Sequence, residues 1–186
     1  MNGRLFYIVG ASGAGKDTLI QYARNALADD APVVFAHRYI TRDADAQGEN
    51  HVALSPREFA LRRRKGLFAL AWESHGYHYG IGVEIDAWLA QGLDVVVNGS
   101  RSYLTSARER YPDMQIVWVS ARPEVLAARL EHRGRESGGE IDARLVRNAH
   151  LDVPPPPDAI EISNDGALES AGGRLVALLS PKPRLL

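Results

Sequence analysis

Nine residues near the N-terminus carry the clearest chemistry in the chain. Gly10, Ala11, Ser12, Gly13, Ala14, Gly15 and Lys16, followed by Asp17 and Thr18, fit the pattern G-x-x-x-x-G-K. In such a loop the backbone N–H groups cradle nucleotide phosphates and the lysine reaches their charge. The glycines let the backbone curl close to phosphate oxygens that a Cβ would obstruct. Lysine is rare here. Only Lys16, Lys65 and Lys182 occur among 22 basic residues, so a lysine at this point indicates a need for a compact point charge rather than a planar fork. One letter departs from the common pattern. The Ser or Thr that usually follows the lysine and holds Mg²⁺ is Asp17, with Thr18 next.

The flanking residues must place this loop. Leu5 to Val9 is an apolar run that reads as a buried strand. After the loop, Leu19, Ile20, Ala23, Ala26 and Leu27 recur at helical spacing. Strand, glycine loop and helix together aim a helix N-terminus at an anion. The same alternation continues. Strands are expected at 33–36, 94–97, 115–119 and 159–162, and helices at 55–65, 83–91, 103–111, from Pro123 to about His132, at 141–151 and at 167–179. Ser55, Pro56 and Glu58 make a helix start with a capping box, and Gly66 ends that helix. Five short strands alternating with helices predict an α/β fold with a parallel sheet covered on both faces.

Composition bounds the rest. With 186 residues, 45% hydrophobic and 24% charged, the chain is one ordinary domain with a full core. A net charge of −1 points to no bulk binding of nucleic acid or membrane. The absence of cysteine excludes disulfides, thiolate metal sites and a cysteine nucleophile. No signal peptide or membrane span is visible, so a cytoplasmic location is expected.

Two further regions have chemical content. Arg38, Thr41 and Arg42 follow the second strand, and Asn98, Gly99, Ser100 and Arg101 follow the third. Open α/β sheets bind ligands at strand C-termini, although a solvated loop would look similar. Arg133, Arg135, Arg144 and Arg147 surround the glycine-rich stretch Ser137–Gly139. In isolation that is a surface loop between helices; beside a phosphate loop it reads as a lid. The aromatic and histidine-rich segment 66–82 has no metal spacing, so packing and ligand contact are expected there.

Nearly the whole chain resembles the guanylate-kinase-like P-loop kinases, and within them the ribose 1,5-bisphosphate phosphokinases of phosphonate breakdown. The matching pieces are Gly10–Thr18, Tyr39–Arg42, Gly48–His51, Phe59, Gly66–Phe68, Tyr79 and Gly80, Val95–Ser100 and Arg133–Ser137. The resemblance implies a three-layer P-loop kinase fold as one domain over 1–186. Its core would be 1–36 and 83–186, with an acceptor-binding insert at 37–82 and a lid at about 133–143. It implies transfer of the γ-phosphoryl of ATP to the 1-phosphate of ribose 1,5-bisphosphate, with Mg²⁺. The expected partners are ATP and a sugar phosphate, with neither nucleic acid nor membrane. Gly10 to Thr18 and Asn164 would bind ATP, and Asp17 or Thr18 would help hold Mg²⁺. Arg38, Arg42, Glu49, His51, Tyr79, Asn98 and Ser100 would bind the acceptor. Lys16, Arg133, Arg135 and Arg144 would act on the transferred group.

Guanylate kinase is the nearest rival, and the departures from it are physical. Leu70, Asn98 and Ser100 stand where guanylate kinases place acids that accept from guanine. Leucine accepts nothing, and unpaired base donors in a pocket would cost about 1–3 kcal/mol each. His51 replaces a phosphate-binding tyrosine, and Asp43, Ala44 and Asp45 stand in place of a second arginine. A gluconate- or shikimate-type kinase would have a shorter insert, and a non-catalytic module would be expected to lose the loop.

Overall fold

The computed structural model describes residues 2–43, 51–132 and 154–180. Its centre is β1 (Leu5–Gly10), six residues buried without exception. Successive strand side chains point to opposite faces, so a strand covered on both sides feeds two cores. Leu5, Tyr7 and Val9 enter one core, and Phe6 and Ile8 enter the other.

Along the chain, β1 is followed by α1 (Lys16–Ala26), β2 (Val33–Phe35), β3 (Arg38–Ile40), β4 (His51–Ala53) and α2 (Pro56–Arg64). Then come β5 (Phe68–Ser74), β6 (Tyr77–Gly82), α3 (Glu84–Ala90) and β7 (Asp94–Asn98). A 3₁₀ turn, Arg101–Tyr103, leads into α4 (Leu104–Arg110). The remaining described elements are β8 (Gln115–Ser120), α5 (Pro123–His132), β9 (Ile160–Ser163) and α6 (Leu168–Leu179).

The main sheet has the order β2-β7-β1-β8-β9 and is parallel throughout. All five expected strands are in it. The chain runs outward from β1 on one side and returns to continue on the other. That reversal leaves a crevice at the C-terminal end of β1, where α/β sheets take ligands. Helices α1, α5 and α6 supply Leu19, Ala23, Leu126, Leu175 and Leu179 to one core. The other core takes Ile85 from α3 and Ala107 from α4.

A second sheet, β4-β3-β6-β5, is built from residues 38–82. It joins a parallel pair, β3 with β4, to an antiparallel hairpin, β5 with β6. The sequence reading assigned no strands to the hairpin. Its residues 66–82 are aromatic and histidine-rich rather than evenly alternating, and their register slips between Phe68 and Leu70. The sheet is rooted in a main core through Ile40, Leu70, Trp72, Tyr79 and Ile81. Gly80 is required because a Cβ there would strike the Phe68 ring.

Helix α2 starts as expected, with Ser55 Oγ accepting from Glu58 N at 3.1 Å. The Glu58 carboxylate, however, takes Arg62 Nε at 2.7 Å, one turn along, where the capping-box pattern would turn it back toward Ser55. The expected helix at 141–151, the lid at 133–143 and the loop at 44–50 lie outside the described residues. Among the described residues, no helix is long and apolar enough to cross a membrane.

Candidate active site

The phosphate loop leaves β1 at Gly10, where a Cβ would run into the Val119 carbonyl of neighbouring β8. Gly13 and Gly15 take positive φ angles of 86° and 87°. These left-handed turns fold the loop back so that α1 begins at Lys16, with its N-terminal amides facing the crevice. Lys16 Nζ lies 3.1 Å from the Gly10 carbonyl and 3.2 Å from that of Ala11, curled over the loop it would serve.

Asn164 holds the loop from beneath. It follows β9, its backbone N–H donates to Ser120 O at 2.8 Å, and its Nδ2 donates to Ala14 O at 2.8 Å. It is 4% exposed, and a Cβ on Gly15 would collide with its amide. Asn164, expected as an ATP contact, supports the loop backbone. Asp165 beside it accepts from Arg122 N and Ser163 Oγ, and these bonds hold its carboxyl below the usual carboxylate range.

Across the crevice stands the C-terminal end of β7. Tyr7, fully buried in β1, accepts at its hydroxyl from Ser100 N at 3.0 Å. Burial pushes the Tyr7 phenol up to about 12. Gly99 has no Cβ because the Tyr7 ring occupies that space. The Tyr7 clamp leaves Asn98 facing the loop, and its Nδ2 donates to Asp17 Oδ1 in a short hydrogen bond. Ser100 Oγ lies 2.9 Å from Ser102 Oγ, in an exposed position.

The second sheet adds a cation at the same place. Arg38 Nη2 lies 3.4 Å from Asp17 Oδ1. Its guanidinium stands 5.5 Å above the Tyr79 ring. Tyr79 stacks on Trp72 at 5.6 Å, and Trp72 on Tyr103 at 5.6 Å. A cation above an aromatic face is held electrostatically. His51 is nearly buried, with Nε2 3.3 Å from the Arg42 carbonyl. Lys16, Asp17, Arg38, Tyr79, Asn98 and Ser100 thus line one region around the C-terminal ends of β1 and β7. His51, at the start of β4, pairs with Arg38 in the parallel ladder, and its side chain reaches the Arg42 carbonyl beyond the end of β3. Glu49, Arg133, Arg135 and Arg144 lie outside the described residues.

Three side chains escaped the sequence reading. Tyr7 carried a signal, since a hydroxyl inside an otherwise apolar buried strand must find a partner. Trp72 gave none, because its stack on Tyr79 depends on the hairpin. Arg129, on α5, brings Nη1 near Gly15, where it is buried with no hydrogen-bond partner among the described residues. Its signal was its place at the edge of the arginine-rich stretch, four residues before Arg133 in sequence.

Comparison with known proteins adds the family. The chain is 55% identical over 176 residues to the ribose 1,5-bisphosphate phosphokinase PhnN of Desulfomicrobium baculatum, covering 95% of this chain and 94% of the relative. It is 54% identical to the protein of that name from Thiobacillus denitrificans, over 96% of this chain and 93% of the other. The chain belongs to this family. The phosphokinase from Burkholderia pseudomallei is likewise 54% identical, over 95% of both chains. No protein-family model matches the chain. Among solved structures, guanylate kinase from Anaplasma phagocytophilum superposes with a TM-score of 0.73 at 15% identity, over 96% of this chain and 85% of that one. A sugar kinase from Janibacter gives 0.52 at 20% identity, over 97% and 99%. These structural likenesses establish the P-loop kinase fold.

Proposed function

We propose that the chain transfers the γ-phosphoryl group of ATP to the 1-phosphate of ribose 1,5-bisphosphate, giving 5-phosphoribosyl 1-diphosphate and ADP. The observation that carries this reading is full-length identity of 54–55% to phosphokinases of that name, with the phosphate loop intact. An oxygen of the 1-phosphate attacks the γ-phosphorus, and the bond to the β–γ bridging oxygen breaks. The attacking phosphate is already ionised at neutral pH, so no strong general base is needed. The protein's task is positioning and neutralisation of charge.

The loop amides from Gly10 to Thr18 bind the ATP phosphates, and Lys16 turns from its backbone carbonyls to the β- and γ-phosphates. Arg38 and Arg42, at the second sheet, hold the acceptor's phosphates, with His51 and Tyr79 shaping that end. Asn98 and Ser100 face its sugar. Residues 37–82 form the acceptor-binding part. Glu49 for the sugar, and Arg133, Arg135 and Arg144 for the transferring group, complete the set.

Asp17 and Thr18 would hold a divalent cation, which would supply charge neutralisation for the transferring group. The described residues contain no cluster of three or more acidic, histidine or cysteine ligands. Hard oxygen donors do follow Lys16, in Asp17 and Thr18. That set fits Mg²⁺, which takes one or two protein oxygens and otherwise phosphates and water.

The guanylate kinase reading is disfavoured by Leu70. It is 1% exposed in a main core and offers guanine nothing. An ADP-release assay comparing ribose 1,5-bisphosphate with GMP tests the choice. Turnover of the bisphosphate alone is expected; turnover of GMP alone would defeat the proposal.

A further inference from the structure

Asp17 occupies the position where the common loop motif has a hydroxyl, and its surroundings say what the carboxylate does. Its Oδ1 accepts from Asn98 Nδ2 and faces Arg38 Nη2 at 3.4 Å. Asn98 is 9% exposed, and its own Oδ1 is buried without a hydrogen-bond partner among the described residues. The two ends of an amide are alike in shape, so the partner decides which end points where. A carboxylate only accepts. Asp17 therefore fixes Asn98 with Nδ2 toward the loop and the carbonyl oxygen turned away from it. The outcome is a buried acceptor oxygen held in place, with no donor to it among the described residues.

The chemistry of the missing donor is restricted. Phosphate oxygens at neutral pH only accept and would be repelled by a carbonyl. A hydroxyl donates. The acceptor proposed above carries hydroxyls on the sugar between its two phosphates. Arg38, the second partner of Asp17, belongs to the second sheet and would meet one of those phosphates. Both contacts of Asp17, Asn98 at the end of β7 and Arg38 on β3, thus belong to elements assigned above to the acceptor.

We propose that Asp17 is a positioning residue for the phosphoryl acceptor. Acting through Asn98 and Arg38, it makes the site selective for a sugar phosphate bearing a free ring hydroxyl. This rests on the function proposed above; of the two oxygen donors offered there to Mg²⁺ it leaves Thr18 and assigns Asp17 to the acceptor instead. A buried group left unpaired by a deoxy analogue is the strongest source of selectivity against it.

The test uses the full chain with ATP, ribose 1,5-bisphosphate and its 2-deoxy and 3-deoxy analogues. Kinetics and calorimetric binding of the acceptor are compared for the wild type, Asp17→Ala, Asp17→Asn, Asn98→Ala and the double alanine variant. Wild type should reject one deoxy analogue by at least about tenfold. Asp17→Ala should remove most of that discrimination and raise the acceptor KM by about tenfold, with the ATP KM and the Mg²⁺ midpoint within about twofold. The double variant should be no worse than either single one, since the two residues act as a unit. Asp17→Asn still offers Asn98 an acceptor oxygen and should restore most of the discrimination. It is close to isosteric, so it keeps the test valid where the alanine variant unfolds.

A tenfold rise in the Mg²⁺ midpoint of both Asp17 variants, with discrimination intact, would overturn the proposal in favour of a metal ligand. Additive single effects would overturn it as well. Failure of the wild type to act on ribose 1,5-bisphosphate would instead bring down the proposed function, and this assignment with it.

Discussion

Tyr7 carries a hydroxyl into a strand buried on both faces, and that oxygen sets the end of β7 by accepting from Ser100 N. Its burial has a consequence for alkaline stability. The folded phenol titrates at about 12, above the ordinary value of 10. The neutral form is therefore favoured by folding. This contribution is complete below pH 10 and is lost as pH rises from 10 through 12. Two pH units correspond to roughly 2–3 kcal/mol. Tyr7→Phe should lower stability at pH 8 by about 1 kcal/mol, because Ser100 N loses its partner. The gap between variant and wild type should close by pH 11 in urea titrations. Asn164 is the second residue of this kind. Asn164→Leu leaves the Ala14 carbonyl unpaired beneath the loop. It should raise the ATP KM by about tenfold while the acceptor KM stays within about twofold, as steady-state kinetics would show.

At the scale of elements, local signals and tertiary contacts can be separated by experiment. The start of α2 depends on its cap, Ser55. Ser55→Ala should cost about 1 kcal/mol of unfolding free energy, read in denaturant, without altering kcat. The turn from loop to α1 behaves differently. Gly15 has a φ of 87° and no room for a Cβ against Asn164. Gly15→Ala combines backbone strain with a collision and should abolish ATP binding measured by calorimetry. The β7 end has a similar device. Gly99 yields its Cβ space to the Tyr7 ring, so two adjacent residues, Gly99 and Ser100, are fixed by one aromatic side chain in another strand.

At the scale of the molecule, Arg38 ties the second sheet to the helix that follows the phosphate loop. It leaves β3 of the second sheet, covers Tyr79 of β6 and reaches Asp17 at the start of α1 in the core. Arg38→Met keeps much of the packing and removes the charge. It should raise the acceptor KM by at least about tenfold, with a change in Tm of only a few degrees. Loss of cooperative unfolding would instead assign Arg38 to the integrity of the fold.

The phosphate loop, the five main-sheet strands and the helices around them were legible because their signals are local. Apolar runs, glycines at fixed spacing and helix starts depend on neighbours in sequence. The hairpin 68–82 was not legible, since its strands are specified by contacts such as Phe68 against Gly80 and Trp72 against Tyr79. The same division runs through the site. The sequence by itself determined that a triphosphate loop exists, that the sheet is parallel, and that Asp17 departs from the usual hydroxyl. Only the tertiary structure decided what Asp17 faces. Asn98 is 81 residues away and Arg38 is 21, and neither spacing has a local period. A carboxylate's role is set by the charges and donors packed against it, and those arrive only when separate strands are laid side by side.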